Sequence, residues 1–182
     1  TYPDASFEES TYDAEGRRLT SRDRGGRVTA YTYDAVGRML STVIAGEAIS
    51  ASAYDAAGRL ASTTDGRGKT TTYEYDTAGR RTKVTDPLGH ATVFTYDGNG
   101  NQLTVKDALN HVTTYEYDNL NRRTKTIFPD STFTQTTYDE AGRRLSERDQ
   151  AGKVTQFRYD RLGRLVKVID ALNQETTYTY DE

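Results

Sequence analysis

The sequence predicts an all-β protein, in which tandem 21-residue β-hairpin repeats form a long, curved antiparallel β-strip. Three observations predict this fold. A Tyr-Asp pair recurs at a fixed spacing, which marks a chain built by stacking one small unit on its neighbours. Each repeat carries two turn signals, mostly of the form Asp-x-x-Gly. The segments between the turns alternate with period two and show no helical stripe.

The Tyr-Asp pair opens the first turn of each repeat. Asp at the first turn position accepts hydrogen bonds from the following backbone, and Gly at the fourth position tolerates positive φ. The sequence therefore assigns a structural role to the tyrosines, aspartates and glycines of this motif. The pairs are Tyr12-Asp13, Tyr33-Asp34, Tyr54-Asp55, Tyr75-Asp76, Tyr96-Asp97, Tyr117-Asp118, Tyr138-Asp139, Tyr159-Asp160 and Tyr180-Asp181. The glycines are Gly16, Gly37, Gly58, Gly79, Gly100, Gly142 and Gly163.

The second turn of the repeat follows the same rule, as in Asp86-Pro87-Leu88-Gly89. Asn110 and Asn173 replace the glycine in two copies. Asn is the other residue that readily adopts the left-handed conformation, so the exchange supports a turn.

The segments between turns favour Thr, Val, Tyr and Leu. Phe94 and Tyr96 alternate with Val93 and Thr95, which indicates a strand with one aromatic face. Two strands and two tight turns per repeat give an antiparallel meander of about 16 or 17 strands. A parallel β-solenoid with one repeat per rung is the alternative, but short turns favour hairpins because parallel strands need longer crossovers.

The odd repeat length constrains the loops. An odd shift moves a side chain to the other face of a sheet, whereas the regular pattern predicts that successive Tyr-Asp tyrosines share a face. One loop of odd type per repeat is therefore expected. The second turn is the candidate, as a type I turn with its Gly or Asn in a bulge.

Composition limits the functional classes. Of 182 residues, 34% are hydrophobic and 14 are Tyr, so aromatic rings must supply much of the buried area. The net charge of −3 and the interspersed signs argue against a nucleic-acid partner, and no apolar run is long enough to span a membrane. The absence of Cys excludes disulfides and a thiol nucleophile.

The first residues look like the interior of an array. Tyr2-Pro3-Asp4 aligns with Phe128-Pro129-Asp130 in the repeat register. We therefore expect residues 1–182 to be a single array of about eight repeats without separate domains, excised from a longer chain. Both ends of such a strip expose unpaired strand edges, so self-association through these edges is also expected.

No residue pattern predicts a catalytic, cofactor-binding or metal site. Equivalent aspartates lie two strands apart, about 9–10 Å, which is too far to share a calcium ion. His90 and His111 occupy equivalent positions that other copies fill with Arg or Lys, which indicates a solvated position.

Two rows of side chains admit a binding role. The arginines after the first turn could form an anion-binding stripe, but ion pairs with the turn aspartates and packing over tyrosines are favoured. The tyrosines two residues before the Tyr-Asp pair could stack on a carbohydrate ligand, although cross-strand packing is favoured. These tyrosines are Tyr31, Tyr73, Tyr115 and Tyr178.

The motif Tyr-Asp-x-x-Gly-Arg, as in Tyr138-Asp139-Glu140-Ala141-Gly142-Arg143, resembles the RHS repeat, also called the YD repeat, over essentially the whole chain. That family includes bacterial RHS toxins, cocoon-forming subunits of insecticidal toxin complexes, wall-associated proteins and teneurins. The resemblance implies a non-catalytic segment of a spiralling hollow shell or surface scaffold, in a secreted or cell-surface protein. Its implied partners are neighbouring repeats, an encapsulated C-terminal toxin domain or a carbohydrate, so an adhesion or carbohydrate-binding module is the alternative function.

Some copies depart from the motif. Gly100-Asn101 and Asn121-Arg122 replace Gly-Arg, and the second turn lacks its Asp at Ile44 and Phe128. The stretch 43–53 also has Ser52 where an aromatic ring is expected, so this repeat is predicted to be irregular.

Overall fold

The computed structural model describes residues 7–181, which form β-strands joined by turns and contain no helix. The predicted Tyr2-Pro3-Asp4 turn lies outside the described residues. Because no described residue belongs to a helix, none provides a helical membrane span. The all-β fold of tandem hairpin repeats is confirmed.

The chain divides into two compact units, Thr1–Ala91 and Thr92–Glu182. The first unit contains β1 (Glu9–Tyr12), β2 (Arg18–Arg22), β3 (Val28–Tyr33), β4 (Met39–Ile44), β5 (Glu47–Tyr54), β6 (Leu60–Asp65), β7 (Thr70–Tyr75) and β8 (Arg81–Thr85). The second contains β9 (Ala91–Tyr96) from its second residue onward, β10 (Gln102–Lys106), β11 (Val112–Tyr117), β12 (Arg123–Ile127), β13 (Phe133–Tyr138), β14 (Arg144–Arg148), β15 (Val154–Tyr159), β16 (Leu165–Ile169) and β17 (Glu175–Thr177).

Within each unit, every strand pairs antiparallel with its neighbours in the sequence. The pairs run from β1–β2 to β7–β8 in the first unit and from β9–β10 to β16–β17 in the second. This pairing is that of a meander, so the alternative of a parallel β-solenoid is wrong. The expectation of one uninterrupted array remains a prediction.

Both turns of the repeat have the same hydrogen-bond pattern. In the first turn, the Asp13 amide donates to the Arg17 carbonyl and the Gly16 amide donates to the Asp13 carbonyl. The second turn repeats both bonds, with Asp23 at its start and Gly26 at positive φ. Each is a three-residue loop closed by a bulge residue in the left-handed conformation. The prediction of a bulged second turn is confirmed, but the prediction that it is the one odd loop per repeat is wrong.

A strand bulge supplies the remaining shift. Thr11 pairs with Thr20, whereas Tyr12 pairs with Arg18, so Leu19 is an extra residue opposite the Tyr-Asp tyrosine. The other repeats insert an extra residue at the same place. These residues are Leu40, Ala61, Thr82, Leu103, Thr124, Leu145 and Val166.

The register places successive Tyr-Asp tyrosines on one face within each unit, as predicted. Thr11 opposes Thr20, which in turn opposes Ala30, so all three point to the same face. Tyr12 lies one residue after Thr11, and Tyr33 lies three residues after Ala30. Both steps are odd, so both tyrosines point to the opposite face. We call this side of the sheet the tyrosine face.

The asparagines of the second turn behave as the sequence predicts. Asn110 and Asn173 have φ values of 68° and 60°, in the left-handed region. The Asn side chain therefore substitutes for Gly without a change of turn type.

The predicted irregularity between β4 and β5 is confirmed. Ala45 and Gly46 both have positive φ and form a two-residue turn of type I′. Val43 pairs with Ala48 and Thr42 with Ser50, so Ile49 is extra and restores the register.

None of the described side chains is fully buried. A sheet one layer thick has no enclosed core, so cohesion comes from the ladder hydrogen bonds and from side chains that cross from one strand to the next. These crossing contacts position the candidate site.

Candidate functional site

The turn aspartate is held by the backbone and the arginine that follow it. Asp55 Oδ1 accepts the Arg59 amide at 2.9 Å, and Asp55 Oδ2 accepts Arg59 Nε at 2.7 Å. These bonds to the backbone and side chain of Arg59 lower the pKa of Asp55, and burial opposes them only in part. The carboxylate is thus committed to closing its own turn.

The same arginine reaches into the next repeat. Arg59 Nη1 donates to the Asp76 carbonyl at 2.7 Å, and its Cζ lies 4.8 Å from the centroid of the Tyr75 ring. The Tyr75 hydroxyl in turn donates to the Leu60 carbonyl at 2.9 Å. Leu60 lies beside the strand bulge of the preceding hairpin, so the tyrosine ties the two repeats together at their most irregular point.

We call this set of contacts the Tyr–Arg ladder. The guanidinium-to-ring contact recurs in Arg17–Tyr33, Arg38–Tyr54, Arg122–Tyr138, Arg143–Tyr159 and Arg164–Tyr180, at 4.4–5.4 Å. The hydroxyl-to-carbonyl bond recurs in Tyr33–Arg18, Tyr54–Met39, Tyr117–Gln102, Tyr138–Arg123, Tyr159–Arg144 and Tyr180–Leu165. The motif residues therefore serve mainly as contacts between successive repeats.

The ladder favours the ion-pair explanation of the arginine row. Each of these arginines binds the aspartate four residues before it, and several also cover a tyrosine ring. A guanidinium with protein partners on two sides has few donors left for an external anion.

The second tyrosine row lies on the tyrosine face, two residues before each pair. The Tyr73 hydroxyl lies 3.3 Å from Thr63 Oγ1, and Arg123 stacks on Tyr115 at 5.4 Å. Tyr178 is 43% exposed. Ligand stacking by Tyr31, Tyr73, Tyr115 and Tyr178 remains a prediction.

Three copies lack the ring of this row, at Ser10 and Ser52 in the first unit and at Thr136 in the second. Thr136 pairs with Glu147, which stands at a strand position where other copies carry Val, Thr or Ser. A shallow concavity of about 730 Å³ opens there. Its lining on the tyrosine face includes Thr126, Thr134, Thr136, Tyr138, Glu147 and Thr155.

Sequence reasoning missed this concavity, although the signal was present. Glu147 is the one charged residue at its position of the repeat, and Thr136 is one of three residues that lack a ring at theirs, and both lie in the same hairpin. Arg144 donates to Glu147 at 2.8 Å and stacks on Phe157 at 4.7 Å, so the carboxylate is already paired.

The two histidines close their turns in the way that arginine does elsewhere. His90 Nδ1 lies 2.9 Å from Asp86 Oδ2, and His111 Nδ1 lies 2.9 Å from Asp107 Oδ2. Between residues 7 and 181, no three His, Cys, Asp or Glu side chains come together in a way that could hold a metal ion.

The pattern of repeats identifies the family. A family model for the RHS Repeat matches residues 12–48, 54–91, 96–132, 138–174 and 159–182. These segments cover most of the sequence, so the chain belongs to the RHS repeat family. Its repeats form a structural array. A search of curated proteins found no match.

Solved structures share the fold. A crystal structure of TcdB2-TccC3-TEV matches with a TM-score of 0.68 and 18% identity, over 100% of this chain and 11% of that chain. A structure of the Photorhabdus luminescens Tc holotoxin pore matches with a TM-score of 0.59 and 18% identity, over 89% of this chain and 12% of that chain. The chain therefore spans about a ninth of the length of these proteins.

Proposed function

We propose that this chain is a non-catalytic wall segment of an RHS shell, which encloses or displays a C-terminal toxin domain of a secreted or cell-surface protein. The Tyr–Arg ladder carries the proposal. The ladder uses the recurring polar side chains of the motif for contacts between successive repeats, as a structural wall requires and a catalytic site does not. The structural likeness to TcdB2-TccC3 chains supports a shared fold.

Protease accessibility in the full-length gene product tests the enclosing role. If the array forms a wall, sequence that follows it should resist a soluble protease while surface linkers are cut. Arg59→Ala and Arg122→Ala each break one rung and should expose that sequence. Equal cleavage rates for the following sequence and a surface linker, in the unmodified protein, would refute enclosure and leave display as the role.

A carbohydrate-binding module is the second candidate, and the concavity at Thr136 favours it. The threonine hydroxyls and the Glu147 carboxylate provide hydrogen-bonding groups, and the Tyr138 ring provides an aromatic surface beside them. This combination suits a polyhydroxylated ligand. Thr136→Tyr restores the aromatic residue of other copies and should fill the concavity.

A glycan array with the wild type and two variants decides the matter. Ser52→Tyr is the matched control, because it makes the same kind of change at a residue that does not line the concavity. Binding that Thr136→Tyr abolishes and Ser52→Tyr retains supports the site. No glycan bound by the wild type, or equal loss in both variants, rejects it.

A further inference from the structure

One junction between neighbouring repeats replaces the ladder arginine with an amide cluster. Asn101 stands where other copies have Arg, and Asn121, in the first turn of the following repeat, stands where other copies have Gly. Asn101 Nδ2 donates to Asp97 Oδ2 at 2.8 Å and to Asn121 Oδ1 at 2.7 Å. Asn99 Nδ2 donates to the same Asn121 oxygen at 3.0 Å. Two exchanges of residue type thus meet at a single oxygen atom.

The glycines of the other junctions show why the two exchanges belong together. A Cβ added to Gly58 would lie 2.8 Å from Arg38 Nη1, and one added to Gly163 would lie 3.3 Å from Arg143 Nη1. A side chain at this turn position therefore points into the space that the preceding guanidinium occupies. At Gly79 no atom lies within 4 Å, so the crowding varies among the copies.

Asn suits the position both by its backbone conformation and by the size of its side chain. Asn121 has a φ of 59°, a conformation that Asn tolerates better than most residues. Its amide fills the region that the shorter Asn101 leaves open and accepts the two hydrogen bonds described above. Arg with Gly and Asn with Asn are therefore two matched pairs.

The mixed pairs are poorer by the same geometry. Arg facing Asn121 would have to move its guanidinium off the tyrosine ring and the next carbonyl, which removes the rung. Asn101 facing a glycine would lose the acceptor that Asn121 provides, and nothing would replace the missing guanidinium. Each mixed junction leaves polar groups with fewer partners than either matched junction.

We propose that the Asn101–Asn121 pair is an identity mark, which fixes the repeats flanking this junction as each other's neighbours. In an array of identical repeats, a folding chain can skip one repeat or pair with a repeat of a second chain. The energy difference between such pairing and the correct pairing is small. Here a skip would set Asn101 against Gly142, or Asn121 against an arginine. Both outcomes are mixed pairs, so the junction disfavours them.

A double-mutant cycle tests the matched pair in the full chain. Asn101→Arg and Asn121→Gly should each cause a loss of stability that raises the unfolding equilibrium constant about tenfold in urea, because each makes a mixed junction. The double variant should recover most of this loss. The reciprocal cycle, Arg122→Asn with Gly142→Asn, should behave in the same way. Additive effects in both cycles would overturn the matched-pair assignment.

Refolding tests the identity mark itself. The double variant Asn101→Arg/Asn121→Gly makes the junction uniform with the others, so it should give more exchanged dimer and more slowly refolding chain than the wild type after dilution from urea. For each protein, a sample that was never unfolded serves as the reference for association through strand edges. Indistinguishable dimer fractions and refolding phases in the two proteins would refute the identity mark, whatever the stability cycle shows.

Discussion

Arginine is the residue that turns an isolated hairpin into part of an array. Arg59 closes its own turn through Asp55, bonds the carbonyl of Asp76 and covers the ring of Tyr75. The three contacts point in different directions, and a planar group with several donors can make them together. Lysine carries a point charge on a flexible stem and can make only some of these contacts.

Arg59→Lys should therefore destabilise the chain although it keeps the charge. We expect a loss of about 1 kcal/mol in the free energy of unfolding, since the fork geometry and the stacking are lost at a site that is partly exposed to solvent. Arg67→Lys is the control, because the Arg67 side chain lies in an exposed turn and should change stability by less than about 0.5 kcal/mol. Urea denaturation monitored by tyrosine fluorescence measures both, and an equal effect of the two substitutions would contradict the role of the fork.

The turn aspartates predict loss of stability in acid. The amide and guanidinium of Arg80 lower the pKa of Asp76, partly opposed by burial, and most other turn aspartates are shifted in the same direction. A folded pKa below the unfolded value contributes stability that is present above the unfolded pKa and is lost as the pH falls through the folded pKa. The urea concentration at the unfolding midpoint should therefore decrease when the pH is lowered below about 4.

Asp76→Asn isolates one of these groups. The variant should be less stable than the wild type at neutral pH, because Asn keeps the turn but loses the ion pair with Arg80. The difference between the two proteins should shrink as the pH falls through the acid range, since the wild-type carboxylate becomes protonated. A difference in urea midpoint that is independent of pH would contradict the assignment.

At the scale of the hairpin, the sequence predicts the strands and both turns but not the strand bulge. Two identical Asp-x-x-Gly turns of the three-residue type cannot by themselves keep equivalent residues on one face when the repeat length is odd. A third irregularity is therefore required, and it lies at Leu19 and its equivalents. The location could not be read from the sequence, because the extra residues include Leu, Ala, Thr and Val, so no single residue type marks the position.

The tyrosine hydroxyl supports this bulge from the next hairpin. Tyr75→Phe removes the donor to the Leu60 carbonyl and should cost about 1 kcal/mol, the usual net value of one hydrogen bond. Tyr31→Phe is the matched control, since Tyr31 lies on the same face and its hydroxyl forms no hydrogen bond within residues 7–181. Loss of stability from Tyr31→Phe as large as that from Tyr75→Phe would show that ring polarity, rather than the bond to the bulge, is responsible.

At the scale of the whole molecule, the period of the sequence predicted the architecture, whereas the candidate concavity followed from exceptions to that period. The period is visible in the sequence because every repeat packs against its neighbours through the same residue types. Thr136 and Glu147 indicate a candidate site only when the register places them opposite each other. A single sequence gives no such pairing, because the strand bulge shifts the partners by one residue.

The absence of a buried core among residues 7–181 determines how the chain should unfold. When each strand contacts only its neighbours in the sequence, stability is a sum of local terms and a defect is felt locally. Arg59→Lys should therefore raise amide hydrogen exchange in β6 and β7, and Arg143→Lys should do so in β14 and β15, with little change elsewhere. Exchange that rises uniformly over all strands in either variant would show a single cooperative unit and contradict the nearest-neighbour description.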